Sequence, residues 1–145
     1  MMIRIHRAIG IGALCLAGLA GMVARASDPN YEYFFIANND SYKAYLDHNN
    51  QSTDAARYRL VNVKISTFSD TFRTWIKKNF PGAETADYAL DPYSIDCSGK
   101  MVGEHRLVFY DSNGFPMADY DFGGHMAPPI GGTMKDELMK KVCGF

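Results

Sequence analysis

The side chains of this 145-residue sequence that could do chemistry are three cysteines, four histidines and a scatter of carboxylates. Cys15 lies in an apolar N-terminal stretch, Cys97 closes the run Tyr93-Ser94-Ile95-Asp96-Cys97, and Cys143 stands near the C-terminus. Cys97 and Cys143 alone do not make a thiolate zinc site, which takes four ligands at closer spacing. In an oxidising compartment such a pair forms one disulfide; in a reducing one it stays as two thiols.

The histidines are less suggestive. His6 falls in the N-terminal segment, His48 in a polar stretch, His105 in a strand-like run and His125 in a Gly-rich one. No H-E-x-x-H occurs, and no pair has the close spacing of a zinc-binding helix. His125 follows Asp119, Asp121 and Gly123-Gly124, so a metal or acid–base site, or a hydrolase centred on His105, His125 and nearby acids, can be drawn there. Spaced acids on a strand beside a loop are more commonly plain solvated positions. No G-x-S-x-G nucleophile motif is present. Gly123-Gly124 and Gly131-Gly132 lack the Lys-Ser/Thr chemistry of a phosphate loop. The residues therefore predict a protein that is not an enzyme, with no catalytic residue, no metal and no cofactor. They assign no ligand-binding residue.

The compartment is read from the first 26 residues. Arg4, His6 and Arg7 form a short basic start, Ala8 to Val23 is uncharged and apolar, and Ala24-Arg25-Ala26 matches the small-x-small cleavage pattern. That is a signal peptide over residues 1–26, cut between Ala26 and Ser27, with one domain over residues 27–145. Leu14 precedes Cys15 and the apolar run continues past it, which does not fit a lipid-attachment site. After cleavage no transmembrane segment is expected, and the destination is export: periplasm, outer surface or secretion. The signal removes three arginines and no acid, so the 15 Lys+Arg and 16 Asp+Glu of the chain become a mature net charge of −4. A mildly acidic surface without a basic stripe predicts no nucleic-acid partner. Only Cys97 and Cys143 remain, so export favours one disulfide between them, worth roughly 4 kcal/mol in the chain-entropy model.

The elements that must position these residues follow from periodicity. Strands are predicted over Tyr31 to Asn38 and Tyr42 to Asp47, joined by the turn chemistry of Asn38-Asn39-Asp40-Ser41. His48 to Asp54 reads as a loop. Ala56 to Phe68 reads as a long strand whose inward face switches near Leu60 through a β-bulge. Phe72, Trp75 and Ile76 at i, i+3 and i+4 predict a short helix over Ser69 to Asn79, capped by Ser69 or Asp70 and stopped by Pro81-Gly82. Tyr88 to Cys97 is a strand that Pro92 should push to an edge or a bulge. Met101 to Tyr110 and Phe115 to Asp121 form a hairpin about Asp111-Ser112-Asn113-Gly114. After a loop from Phe122 to Gly132, Thr133 caps a helix that buries Met134, Leu138, Met139 and Val142 and ends at Gly144.

The order Ser94-Ile95-Asp96-Cys97, strand His105 to Tyr110, Tyr110-Asp111-Ser112-Asn113-Gly114, Pro129-Ile130, and a helix ending Val142-Cys143 resembles the surface-adhesin E-like family of bacterial exported proteins. The resemblance covers about Tyr88 to Cys143 and extends more loosely to Tyr31. It implies an α+β fold: a single antiparallel β-sheet of about six strands, packed by a C-terminal helix, with the Cys97–Cys143 bridge. The helix around Trp75 would be a second, short one, without a counterpart in the family pattern. The family's named member is a surface adhesin for host extracellular-matrix proteins, whereas many relatives are uncharacterised envelope proteins; that adhesin is a lipoprotein, and this chain departs from it there. The expectation is an exported, non-enzymatic binding module with an unidentified protein ligand, and a homodimer through strand pairing is one arrangement available to it. A periplasmic structural or stress-related protein without a host ligand is the alternative.

Overall fold

A computed structural model describes residues 30–36, 39–54 and 56–145. The signal segment, Cys15 and the Ala26/Ser27 cleavage point lie outside the described residues. Seven strands and two helices follow in the order β1 (Tyr31–Phe34), β2 (Lys43–Thr53), β3 (Arg59–Ser66), α1 (Asp70–Asn79), β4 (Tyr88–Asp96), β5 (Met101–Glu104), β6 (Arg106–Tyr110), β7 (Pro116–Asp121) and α2 (Met134–Cys143). All strand pairings are antiparallel, and one sheet runs β1-β2-β3-β4-β6-β7, with β5 also paired to β4. The fold is α+β, as expected, with both helices over one face of the sheet.

That face is set by alternation. Ala44, Leu46, Val61, Val63, Ile65, Ala89, Tyr93, Ile95, Val102, Leu107 and Phe109 are buried and share one side of the strands. From the helices, Ile76 of α1 and Leu138 and Met139 of α2 complete the core, and Phe68, Phe72, Phe80 and Phe109 join in a chain of ring contacts beneath α1. Ser69 caps α1 by accepting the Phe72 N–H. Thr133 caps α2, and Gly144 ends it at a φ of 75°, a left-handed conformation that glycine adopts without steric cost. Asp136 and Glu137 in the first turn of α2 and Lys140 and Lys141 in the last complement the helix dipole.

The Cys97–Cys143 disulfide is present, with Cα atoms 5.6 Å apart. It joins the residue after β4 to the last residue of α2 and so clamps that helix on the sheet. Arg59 donates to the Val142 carbonyl, and Lys141 pairs with Glu32 of β1, which fixes the same end of α2 against the first strands.

Three elements differ from expectation. The polar stretch after Asp47 is not a loop: β2 continues to Thr53, with a register shift against β3 between Asp47 and Ser52. The irregularity expected near Leu60 thus sits in β2, opposite β3. The predicted strand Met101 to Tyr110 is broken at His105 into β5 and β6, which pair with successive parts of β4. That break is what accommodates Pro92 in an interior strand rather than at an edge. A residue's N–H and C=O point to the same side of a strand; the Pro92 carbonyl accepts the His105 N–H at 3.0 Å. The N–H that proline lacks would therefore face the gap between β5 and β6, where no ladder bond is lost.

Candidate functional site

In β4 the inward positions are Ala89, Asp91, Tyr93 and Ile95, and all four are buried. An acid thus stands where the alternation calls for an apolar side chain. Asp91 is 2% exposed. The Tyr93 hydroxyl donates to Asp91 Oδ2, and Asp91 Oδ1 has no hydrogen-bond partner. Glu104, at the end of β5, is opposite Tyr93 in register and puts a second carboxylate on the same face. Lys135, from the first turn of α2, reaches Glu104 Oε2 at 2.6 Å.

This arrangement keeps Asp91 protonated at neutral pH. Burial pushes its carboxyl up to about 8 from an ordinary 3.8, the Glu104 charge and a hydrogen bond shared with Glu104 add to the effect, and the Tyr93 hydrogen bond and Lys135 oppose it. Burial likewise raises the Tyr93 hydroxyl well above its ordinary range, with the charges of Asp91 and Glu104 working in the same direction. Tyr42, before β2, is raised by burial and then by the same two acids.

Above these groups is a cleft of about 500 Å³ between the sheet, α1, the loop after β7 and the start of α2. Asp91, Tyr93 and Glu104 belong to its floor, Tyr42, Phe72 and Trp75 to one wall, and Phe122, His125, Ile130 and Lys135 to the other. Its rim is apolar and exposed. Trp75 stacks on Phe72, Phe80 links Trp75 to Tyr120, and Tyr120 packs on Phe122. Trp75 is 47% and Ile130 78% exposed. The helix periodicity placed Trp75 with Phe72 and Ile76 on a core face; only Ile76 is fully buried, and Trp75 borders the cleft instead.

The histidine site drawn from sequence does not assemble. His105 bonds Ser94 Oγ through Nε2 at 2.7 Å and lines a different cavity, on the sheet face away from the helices, whereas His125 lines the cleft. Asp119 pairs with Arg106, and Asp121 accepts the Gly123 N–H in a turn. Among the described residues, no group of three or more His, Cys, Asp or Glu side chains is arranged to hold a metal. Ser94 is buried, and the loop after β7 packs over its neighbour: a Cβ on Gly103 would lie 2.6 Å from the Gly124 carbonyl oxygen.

The fold is similar to the crystal structure, in crystal form II, of Haemophilus influenzae protein E. The TM-score is 0.59, the match covers 82% of this chain and 91% of that one, and 14% of residues are identical. At that identity the likeness concerns the fold. No sequence-family model matches the chain. No curated protein matches it. Among the described residues no helix is long and apolar enough to cross a membrane.

Sequence reasoning did not single out Asp91, Glu104, Lys135 or Tyr42. One local signal pointed to the first: in Ala89-Leu90-Asp91-Pro92-Tyr93 the acid has the parity of the buried Ala89 and Tyr93. The others needed the strand register and the docking of α2.

Proposed function

We propose that this chain is an exported, non-enzymatic binding module of the bacterial cell envelope, a surface-adhesin E-like domain over residues 27–145 behind a signal peptide cut between Ala26 and Ser27. The observation that carries the binding role is the exposed aromatic cluster of Trp75, Tyr120 and Phe122, linked through the buried Phe80, beside a cleft that Trp75 and Phe122 line and that has buried polar groups at its floor. Clustered exposed apolar surface of this kind marks interaction sites, and aromatic side chains dominate the energetics of such surfaces. The likeness in fold to protein E and the disulfide support an adhesin-type protein in an oxidising compartment. The partner in this reading is a protein with an apolar segment that covers the rim, and an extracellular-matrix protein is the family's expectation. Against catalysis, the nearest approach to a dyad, Ser94 with His105, has its hydroxyl buried.

The test has two parts. Cell fractionation and N-terminal sequencing should find the protein outside the cytoplasm and beginning at Ser27. The purified protein should bind immobilised extracellular-matrix proteins, and Trp75→Ala with Phe122→Ser should weaken that binding at least tenfold. A cytoplasmic protein would end the export reading. Retention of no matrix protein would remove the adhesin and leave a structural envelope role. Full binding by the rim variant would move recognition elsewhere.

A further inference from the structure

We propose that the cleft is a binding site for a small primary amine with an apolar, ring-sized body, its ammonium group seated against Asp91 and Glu104 and its body between Tyr42, Phe72 and Trp75. This goes beyond the protein-binding role, which uses the exposed aromatic cluster; Trp75 borders both, and the variants at Asp91 and Glu104 separate the two.

Three independent features of the cleft point to that chemistry. The first is the unpartnered acceptor. Asp91 is 98% buried, its Oδ2 is occupied by the Tyr93 hydroxyl, and its Oδ1 receives no donor from the protein. At neutral pH the proton on Asp91, shared with Glu104, fills that place, and a ligand that donates an N–H at the floor would replace it. The second is the charge count. The groups facing Asp91 are Tyr93 on its own strand, Glu104 from β5, Lys135 from α2 and Tyr42 from the segment before β2; His125 stands on the cleft wall. Two carboxyl groups face one lysine, and that lysine is already engaged by Glu104. With Asp91 protonated these charges cancel, so a cation is balanced by release of the Asp91 proton, whereas an anion would find the one lysine taken. The third is the wall. Phe72 and Trp75 stack with an interplanar angle of 16°, and Tyr42 packs on Phe72. Such faces take up an apolar body and attract a nearby cation. A cleft of about 500 Å³ is within the range of small-molecule sites and has room for a ring-sized body.

The binding step balances as a proton exchange. At neutral pH Asp91 carries a proton, because burial and the Glu104 charge raise its carboxyl. The incoming ammonium donates to the ionised carboxylate, and the Asp91 proton leaves to solvent. Affinity should therefore rise with pH between about 6 and about 9, while an alkylammonium stays charged.

The chain has one tryptophan, and it lines the cleft, so its fluorescence reads occupancy. The disulfide-bonded protein is titrated with phenethylamine, 2-phenylethanol and phenylacetate, which share the ring and differ in the head group. The expected result is saturable binding of the amine, at least tenfold tighter than the alcohol, with phenylacetate weakest. Amine affinity should tighten with pH, with proton release in a weakly buffered titration. Asp91→Asn should weaken the amine at least tenfold and leave 2-phenylethanol unchanged. Glu104→Gln is the second variant, at the less buried acid, and should weaken the amine in the same direction. Equal affinities for the three compounds, no saturable change with the amine, or undiminished amine binding by both variants would overturn the proposal.

Discussion

Replacing Asp91 with asparagine gives the most direct measure of the buried acid. In the unfolded chain the carboxyl ionises near 3.8, and in the folded protein near 8. Between those values the folded state holds a proton that the unfolded state has released. Stability from this residue is therefore fully present below 3.8 and is lost as the pH rises towards 8. The slope is about 1.4 kcal/mol per pH unit for one proton, so about 3 kcal/mol disappears between about pH 5 and about pH 7. Asp91→Asn keeps the shape, keeps an oxygen to accept from Tyr93, and removes the titration. Urea unfolding followed by Trp75 fluorescence, with the disulfide intact, gives the free energy of each protein at several pH values. The other carboxylates titrate in both proteins, so the difference between the two curves isolates Asp91. The variant should gain about 3 kcal/mol on the wild type over that interval, with an unchanged denaturant slope. Glu104→Gln should reduce the wild-type pH slope at its upper end, because the Glu104 charge is the second cause of the shift. Parallel curves for wild type and Asp91→Asn would refute the reasoning, since they would mean that Asp91 titrates alike in both states.

Other substitutions test the frame around the cleft. Cys143→Ser should cost about 4 kcal/mol in urea unfolding, because the bridge closes a loop with a sequence separation of 46; thiol labelling of the unreduced, denatured wild type should find neither Cys97 nor Cys143 free. Leu138→Ala, at a fully buried position of α2, should cost about 3 kcal/mol by the same assay. Gly103→Ala should lower the thermal midpoint and raise hydrogen exchange in the loop over residues 122–127, because its new methyl would meet the Gly124 carbonyl, which is backbone and cannot turn aside.

Much of the frame was legible from local pattern. The hairpin at Asp111-Gly114 forms as read: Asp111 Oδ1 accepts the N–H groups of Asn113 and Phe115, and Gly114 has a φ of 84°. Ser69 and Thr133 cap the two helices as their positions suggested. Those features rest on contacts within a few residues. Pro92 was harder, because a proline signals an irregular ladder without saying which strand yields. Here the partner yields: His105 breaks the facing strand, and β4 remains interior. The polar stretch after Asp47 was misread for a related reason. Its polarity suggested a loop, whereas pairing with β3 resumes at Ser52 and holds it as strand. The cleft was least legible of all. Its floor depends on Glu104 facing Tyr93 and on Lys135 arriving from α2, and neither register nor helix docking is written in a local window.

The buried acid and the disulfide have opposite effects of similar size. At neutral pH the displaced titration of Asp91 lowers stability by about 4 kcal/mol relative to an acid that never ionises. The Cys97–Cys143 bridge contributes about the same in the other direction. For a domain of this size, total stability is about 5–15 kcal/mol, so either term alone is a large share. An apolar residue at position 91 would continue the inward pattern of Ala89, Tyr93 and Ile95 but would leave the buried Tyr93 hydroxyl without its acceptor. The acid is therefore tied to that hydroxyl and to Glu104, not to apolar packing. It makes sense as part of a polar floor whose proton an outside cation can replace, on a scaffold that the bridge makes stable enough to carry it.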